Sequence, residues 1–259
     1  MEKIPLSVFI IAKNEADRIP RVIRAVRDWV DEVIVIDSGS EDATVAVSEA
    51  LGARVIFNAW RGYGPQKVFA EQQCRNSWLL NLDADEEVSS ELAQEIRALF
   101  GSGALANASA YTLPILPLYP FQTSGHPWTA FHHPVRLYRK DMAGFKDELV
   151  HDSVVVHEGR IGHLKGMVKH RSFRSLAHHV EKVNSYSSAQ AEVLATRGRD
   201  PGLLALLLTP ILAFFKQYLL RREFVNGVDG IVVSYMYAFQ RFIRLAKTRE
   251  LQHLKRRQD

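Results

Sequence analysis

Apolar positions in the first third of the chain come in short blocks whose internal spacing alternates between strand and helix. Residues 6–12 form a run rich in β-branched and aromatic side chains, which predicts a buried strand. Between 15 and 30, Ile19, Val22, Ile23, Val26 and Val30 recur at helical spacing. Residues 33–36 predict a second strand, closed by the turn Asp37-Ser38-Gly39-Ser40. A helix follows over 42–51, with Gly52 as its stop. A third strand is predicted over 55–57, then a glycine-rich loop (61–65), a helix over 66–76 and a fourth strand over 78–82. Strand and helix alternating at this pace predict a mostly parallel sheet flanked by helices, an α/β fold. Such sheets bind ligands at the carboxyl ends of their strands. Asn14-Glu15, Asp37 and the pair Asp83/Asp85 all fall at those ends.

The pattern changes after Phe100. Pro114, Pro117, Pro120, Pro127 and Pro134, with many aromatics between them, disfavour helix and predict short strands and an ordered loop. His151-Asp152, His157-Glu158 and Lys169-His170-Arg171 follow. Residues 175–196 read as a helix. Residues 203–220 are strongly apolar, with Pro210 interrupting them and Lys216 ending the uncharged part. A spanning helix needs roughly 20 apolar residues, so this one falls short. Two readings stand: a buried helix, or one in the membrane interface beside Arg221 and Arg222. The resulting division is a catalytic domain over 1–172 and a helical extension over 173–259. Within the first, 1–100 form a nucleotide-binding half and 101–172 an acceptor half.

Composition adds three constraints. The chain has 259 residues, 47% of them hydrophobic, enough for one α/β domain with an appendage. Cys74 is the single cysteine, so no internal disulfide framework exists, which fits a reducing compartment. Glu2 and Lys3 cancel before the first apolar run, unlike the start of a signal peptide. The net charge of +4 is uneven: residues 214–259 hold ten Lys/Arg and four Asp/Glu, a net +6. The preceding part therefore sums to −2. A basic excess confined to the tail suits an anionic membrane surface and argues against a nucleic-acid protein.

Asn81-Leu82-Asp83-Ala84-Asp85-Glu86 carries the most chemistry. If the fourth strand continues to 85, Asp83 and Asp85 face the same way. Like charges about 4 Å apart repel by ~4 kcal/mol at an effective dielectric of ~20. A bound Mg²⁺ or Mn²⁺ turns that repulsion into coordination. The competing reading is a helix start, with Asp85, Glu86 and Glu87 capping a helix from about residue 89. Asp37 accepts from a nucleobase or ribose, or stabilises its own turn. Asn14 and Glu15 edge the nucleotide site, with helix capping as the alternative for Glu15. Asp42 reads as a helix cap. Lys67 meets a phosphate at a helix N-terminus, or is a surface lysine. Arg136 holds a diphosphate or forms a structural ion pair.

Residues 8–15 (VFIIAKNE), 35–44 (VIDSGSEDAT) and 81–86 (NLDADE) together resemble the nucleotide-binding half of family 2 glycosyltransferases. Residues 134–138, 150–154, 169–170 and 226–230 resemble the subgroup that extends the lipopolysaccharide core. That subgroup usually has His-Glu where this chain has His151-Asp152, a carboxylate shorter by one methylene. The resemblance implies a GT-A fold, a nucleoside-diphosphate sugar donor (UDP-glucose favoured), Mg²⁺ or Mn²⁺, and inversion at the anomeric carbon. It implies Asp85 and His170 as metal ligands, with a surface role as the alternative for His170, and Asp83 on the nucleotide side. Asp152 is then the base that deprotonates the acceptor hydroxyl, His151 orients it or contacts the acceptor, with a structural strand histidine as the alternative, and Glu158 is the rival base. The acceptor implied is lipid-linked, the lipopolysaccharide inner core, met at the cytoplasmic face of the inner membrane. Two alternatives remain: transfer to polyprenyl phosphate, and a non-catalytic nucleotide-sugar or membrane-binding module.

Overall fold

Both edges of β1 (Ile4–Ala12) are paired, with β2 (Val30–Asp37) on one side and β4 (Trp78–Asp83) on the other, and both its faces are buried by what packs on each side of the sheet. The computed structural model describes residues 2–120, 122, 124–129, 132–147 and 153–258. Between the central strands the chain forms α1 (Ile19–Val26), α2 (Thr44–Ala50), β3 (Arg54–Phe57) and α3 (Tyr63–Gln73). After β4 come β5 (Glu86–Val88), α4 (Ser90–Ser102), β6 (Ala110–Thr112), β7 (Ile115–Pro117) and β8 (Val135–Arg139). β9 (Ala143–Phe145), β10 (Val154–Val156), β11 (Ile161–His163) and β12 (Val168–His170) complete the strands. The main sheet has the order β11-β6-β8-β4-β1-β2-β3. β3, β2, β1 and β4 are parallel, and β8 runs antiparallel between β4 and β6. A second sheet, β5-β12-β7, carries β5 directly after β4.

Period-two alternation sorts β1 and β4 onto two cores. Val8, Ile10, Leu80 and Leu82 pack with Ile19, Val22, Ile23 and Val26 of α1 and with Leu92 and Ile96 of α4. Phe9 and Leu79 pack on the other face with Ala70, Cys74, Tyr138 and Phe145. Asn81 and Asp83 share the parity of Leu79, so they face the α3 side. The expected α/β architecture, with its mostly parallel sheet, flanking helices and helical C-terminal region, is therefore present.

Several boundaries moved for local reasons. Pro20 lacks an N–H and belongs in a first helical turn, so α1 starts at Ile19 rather than near 15. Val30, assigned by spacing to that helix, opens β2 instead. Gly62, at φ +124, lets α3 begin at Tyr63 inside the expected loop. Cys74, expected in a helix, is extended just past α3, and burial pushes its thiol up to about 12. It is an inert core residue. β4 ends at Asp83 and a turn separates it from β5, so Asp83 and Asp85 do not share a strand face. The capping reading of Asp85, Glu86 and Glu87 is also replaced. Ser89 is the N-cap of α4, its Oγ accepting from Leu92 N at 3.2 Å.

Gly166 marks a close backbone approach. A Cβ there would lie 2.4 Å from Leu92 Cα, against main chain that cannot rotate away. Gly166 N also donates to Glu95 Oε2 at 2.8 Å. Gly166→Ala is expected to cost about 1–3 kcal/mol, read as a lower urea midpoint at unchanged m-value.

The chain divides into two units, residues 1–117 with 130–170, and residues 118–129 with 171–259. The division after His170 lies near the expected 172, but residues 118–129 group with the C-terminal helices. That second unit is built on α5 (Leu176–Thr196), α6 (Leu203–Phe215) and α7 (Gly227–Gln258). A π-helical turn, Lys216–Leu220, extends α6. Lys247 Nζ joins α7 to α5, donating to Asn184 Oδ1 at 2.7 Å and to Ser187 Oγ at 2.9 Å.

Candidate active site

The parallel strands end together, because Ala12 pairs with Asp37 and Ile11 with Asp83. Their carboxyl-end loops therefore meet. Asn14, at φ +56, turns the chain out of β1, a conformation Asn tolerates. Its N–H donates to Ser40 Oγ at 2.9 Å, and its Oδ1 accepts from Glu41 N at 2.9 Å. Asp37 is buried and accepts from Gly39 N at 2.9 Å and Ser40 N at 3.0 Å. It thus stabilises its own turn, and Gly39 at φ +92 makes that turn accessible. Asp42 accepts from Thr44 N at 2.9 Å at the start of α2, and from Ala16 N at 3.1 Å. It ties the first and second loops together, while the N-cap position of α2, expected at Asp42, is Ala43 and makes no side-chain cap.

The acidic cluster is neutralised by named cations. Lys67, expected at a phosphate or on the surface, is 0% exposed, and its Nζ lies 3.1 Å from Asp83 Oδ1. Arg136 Nη2 lies 3.0 Å from Asp83 Oδ2 and 2.8 Å from Glu86 Oε1, and Nη1 donates to Asn81 Oδ1. Glu86 Oε2 in turn accepts from Asp83 N at 3.0 Å. Burial pushes the Asp83 carboxyl up, but Arg136 and Lys67 outweigh it and hold it well below the usual range. For Glu86 burial prevails, and its carboxyl is raised. Arg18, at the start of α1, bridges Glu15 Oε2 at 2.6 Å and Asp85 Oδ2 at 3.1 Å.

Asp85 Oδ1 faces His170 Nε2 at 3.3 Å, the histidine arriving on β12, where it pairs with Glu86 in register. Burial opposes ionisation at both groups. The hydrogen bond between them, with the surrounding charges, wins: Asp85 is lowered and His170 raised. Cis ligands of an octahedral ion at ~2.1 Å lie about 3 Å apart, so this oxygen–nitrogen pair has the spacing to share one small divalent cation. Among the described residues no group of three or more such side chains is arranged to hold a metal. The pair fits a site in which substrate phosphates and water complete the shell. The carboxylate oxygen suits Mn²⁺ or Mg²⁺, and the imidazole nitrogen favours the softer Mn²⁺ of the two.

Of the expected site residues, the structure thus brings Lys67, Asp83 and Arg136 into one set of ion pairs, and Glu15, Asp85 and His170 into a second set built around Arg18 and Asp85. Asn14 and Asp37 sit in the adjoining turns. His151 and Asp152 lie outside the described residues. Glu158 is exposed in the turn between β10 and β11. Arg18 and Glu86 were not singled out from the sequence as site residues. A cation at a helix start opposes the helix dipole, and that was the available signal for Arg18.

Behind the cluster, Glu71 of α3 accepts from Tyr138 Oη at 2.5 Å and from Phe145 N at 3.1 Å. The Phe145 ring lies under Lys67 Nζ, 5.0 Å from its centroid. Burial raises the Glu71 carboxyl above the ordinary glutamate range despite both hydrogen bonds. A raised carboxyl means the folded state keeps its proton longer. Its contribution to stability is full below about pH 4.3 and is lost as pH rises through the folded value. Glu71→Gln keeps an acceptor oxygen, so it is expected to flatten this part of the stability–pH curve and to raise stability at pH 7. Urea titrations at several pH values measure both.

A sequence model described as Glycosyl transferase family 2 matches residues 7–115. A glycosyltransferase of Rickettsia felis (strain ATCC VR-1525 / URRWXCal2), itself uncharacterized, is 45% identical over 96% of this chain and 90% of its own. The chain belongs to glycosyltransferase family 2. The family 2 match contains the Asn14 and Asp37 turns, Lys67 and the Asp83–Glu86 turn, and ends before Arg136 and His170. The lipopolysaccharide core biosynthesis glycosyltransferase LpsC of Rhizobium meliloti (strain 1021) is 29% identical over 98% of this chain and 96% of its own. Among solved structures, S. aureus TarS 1–349 in complex with UDP-GlcNAc is 13% identical over 98% of this chain and 92% of its own, with TM-score 0.49. As a family 2 glycosyltransferase, the protein is a transferase enzyme.

Proposed function

We propose that this enzyme, on a GT-A fold, moves a hexose, glucose favoured, from a UDP-sugar to a hydroxyl of a lipid-linked acceptor, with inversion. The observation that carries the donor site is the Asp85–His170 pair beside an Asp83 that ends the parallel strand β4 and is fixed by Lys67 and Arg136. The likeness to LpsC supports a lipopolysaccharide inner-core acceptor. Asp85 and His170 would hold Mn²⁺ or Mg²⁺, which when bound neutralises the negative charge that grows on the departing diphosphate.

The chain's own residues do the rest. Asp83, kept ionised and oriented from both sides, receives ribose hydroxyls. Lys67 and Arg136 act through Asp83, in place of the direct phosphate contacts their charge suggested. Asp152 takes the proton of the acceptor hydroxyl as its oxygen bonds to the anomeric carbon and the bond to the diphosphate breaks. One base is enough for this single displacement.

Donor hydrolysis, screened over UDP-, GDP- and ADP-sugars with and without Mn²⁺, tests the reading. Release of UDP from UDP-glucose, rising with Mn²⁺, is expected. Turnover indifferent to metal, or turnover confined to another nucleotide, would overturn the corresponding part.

A further inference from the structure

The C-terminal unit carries its apolar side chains on the wrong side for a helix facing water. Of the 18 residues Leu203–Leu220, only Ala213 and Gln217 are buried. Leu203, Leu207, Ile211 and Phe215 form one exposed row on α6, and Leu204, Leu208 and Leu212 the next. On α7 the exposed row is Val228, Ile231, Val232, Tyr235, Phe239 and Phe242, at helical spacing. The buried row of the same helix is small, Gly230, Ser234 and Ala238. A Cβ on Gly230 would lie 1.8 Å from the Glu223 carbonyl oxygen, so that row is packed tight. Polar groups are turned inward as well: Glu223 is buried and accepts from Gln217 Nε2 at 3.1 Å and Asn226 Nδ2 at 2.8 Å. This reverses the amphipathic pattern of a water-facing helix.

The two exposed rows are continuous. The Phe214 ring of α6 lies 4.7 Å from that of Tyr235 on α7 and 5.5 Å from Phe215. At the end of α6, Lys216, Arg221 and Arg222 are exposed, and the Arg222 guanidinium lies 5.8 Å from the ring of Trp128, itself exposed. Apolar rows edged by cations and a tryptophan match the layering of a bilayer surface, acyl chains beneath anionic headgroups.

We propose that α6 and the first half of α7 lie in the plane of an anionic lipid bilayer. Their exposed rows enter the acyl layer, and Lys216, Arg221 and Arg222 sit at the headgroups. The exposed cations at the end of the apolar rows complement an anionic headgroup layer, and a second copy of the chain supplies the same positive charge there instead. The inference rests on the reading of the acceptor as lipid-linked for its purpose, but its lipid-binding readouts need neither donor nor acceptor, and donor hydrolysis enters only as a control.

Cys74 is buried and is the only cysteine, so a single introduced thiol can be labelled selectively. The full chain carrying Leu208→Cys or Val232→Cys is labelled with a polarity-sensitive fluorophore. It is then mixed with phosphatidylcholine vesicles with or without phosphatidylglycerol. Both positions are expected to shift to the blue, at least tenfold more strongly with the anionic lipid. Leu207→Ser combined with Ile211→Ser is expected to weaken flotation at least tenfold while leaving UDP-sugar hydrolysis unchanged. Unshifted labels, or equal flotation of that variant, would overturn the proposal. So would a lipid-free dimer in light scattering that the same substitutions dissociate. No UDP-sugar hydrolysis by the unsubstituted chain, with its flotation intact, would instead count against the donor-site reading alone.

Discussion

Arg136→Met is expected to destabilise the protein by about 3–5 kcal/mol, the cost of removing one partner from a buried charge network. The guanidinium contacts Asp83, Glu86 and Asn81 at once, and all four residues are buried or half-buried. Without it, two carboxylates joined through the Asp83 N–H remain in the interior, with Lys67 as the cation on Asp83. The melting temperature should fall by roughly 6–20 °C for a chain of this size. Glu86→Gln in the same background removes one of the stranded charges and should restore part of the loss. A drop below about 1 kcal/mol would show that the network is not what fixes Asp83.

Asp85→Asn is expected to separate chemistry from folding. Its charge is met by Arg18 at 3.1 Å and His170 at 3.3 Å, and Arg18 keeps Glu15 as a partner when Asp85 is neutralised, so the stability loss should stay below that of Arg136→Met. Sugar transfer should fall by about 10²–10³, the range set by a few kcal/mol of lost charge stabilisation on the leaving diphosphate. The Mn²⁺ concentration for half-activation should rise in Asp85→Asn and also in His170→Gln. Steady-state UDP release over a metal titration, alongside a melting curve of each variant, measures both effects. An Asp85→Asn enzyme with full turnover would remove Asp85 from the metal site.

The strand ends were legible because they depend on local pattern. Short continuous apolar runs at residues 6–12 and 78–82 located β1 and β4, and the turns after them fell where sheet topology requires. What neutralises the acidic turn was not legible. Lys67 is 16 positions from Asp83, and Arg136 is 53, and no periodicity links them. The premise that clustered carboxylates need a cation held, but part of the answer is side chains. Asp85 leaves the strand because β5 follows β4 almost at once, and that break depends on pairing with β12, a strand from the far end of the domain. The apolar run at 203–220 was readable as apolar, but its exposure was not, since composition does not say which face a neighbouring helix covers.

The most direct test of the donor site is equilibrium binding of UDP to the full-length enzyme, measured by calorimetry with Mn²⁺ and again with EDTA. Binding that needs Mn²⁺ and weakens at least tenfold in Asp85→Asn is the result predicted. Equal affinity with EDTA, unchanged by that substitution, would contradict it.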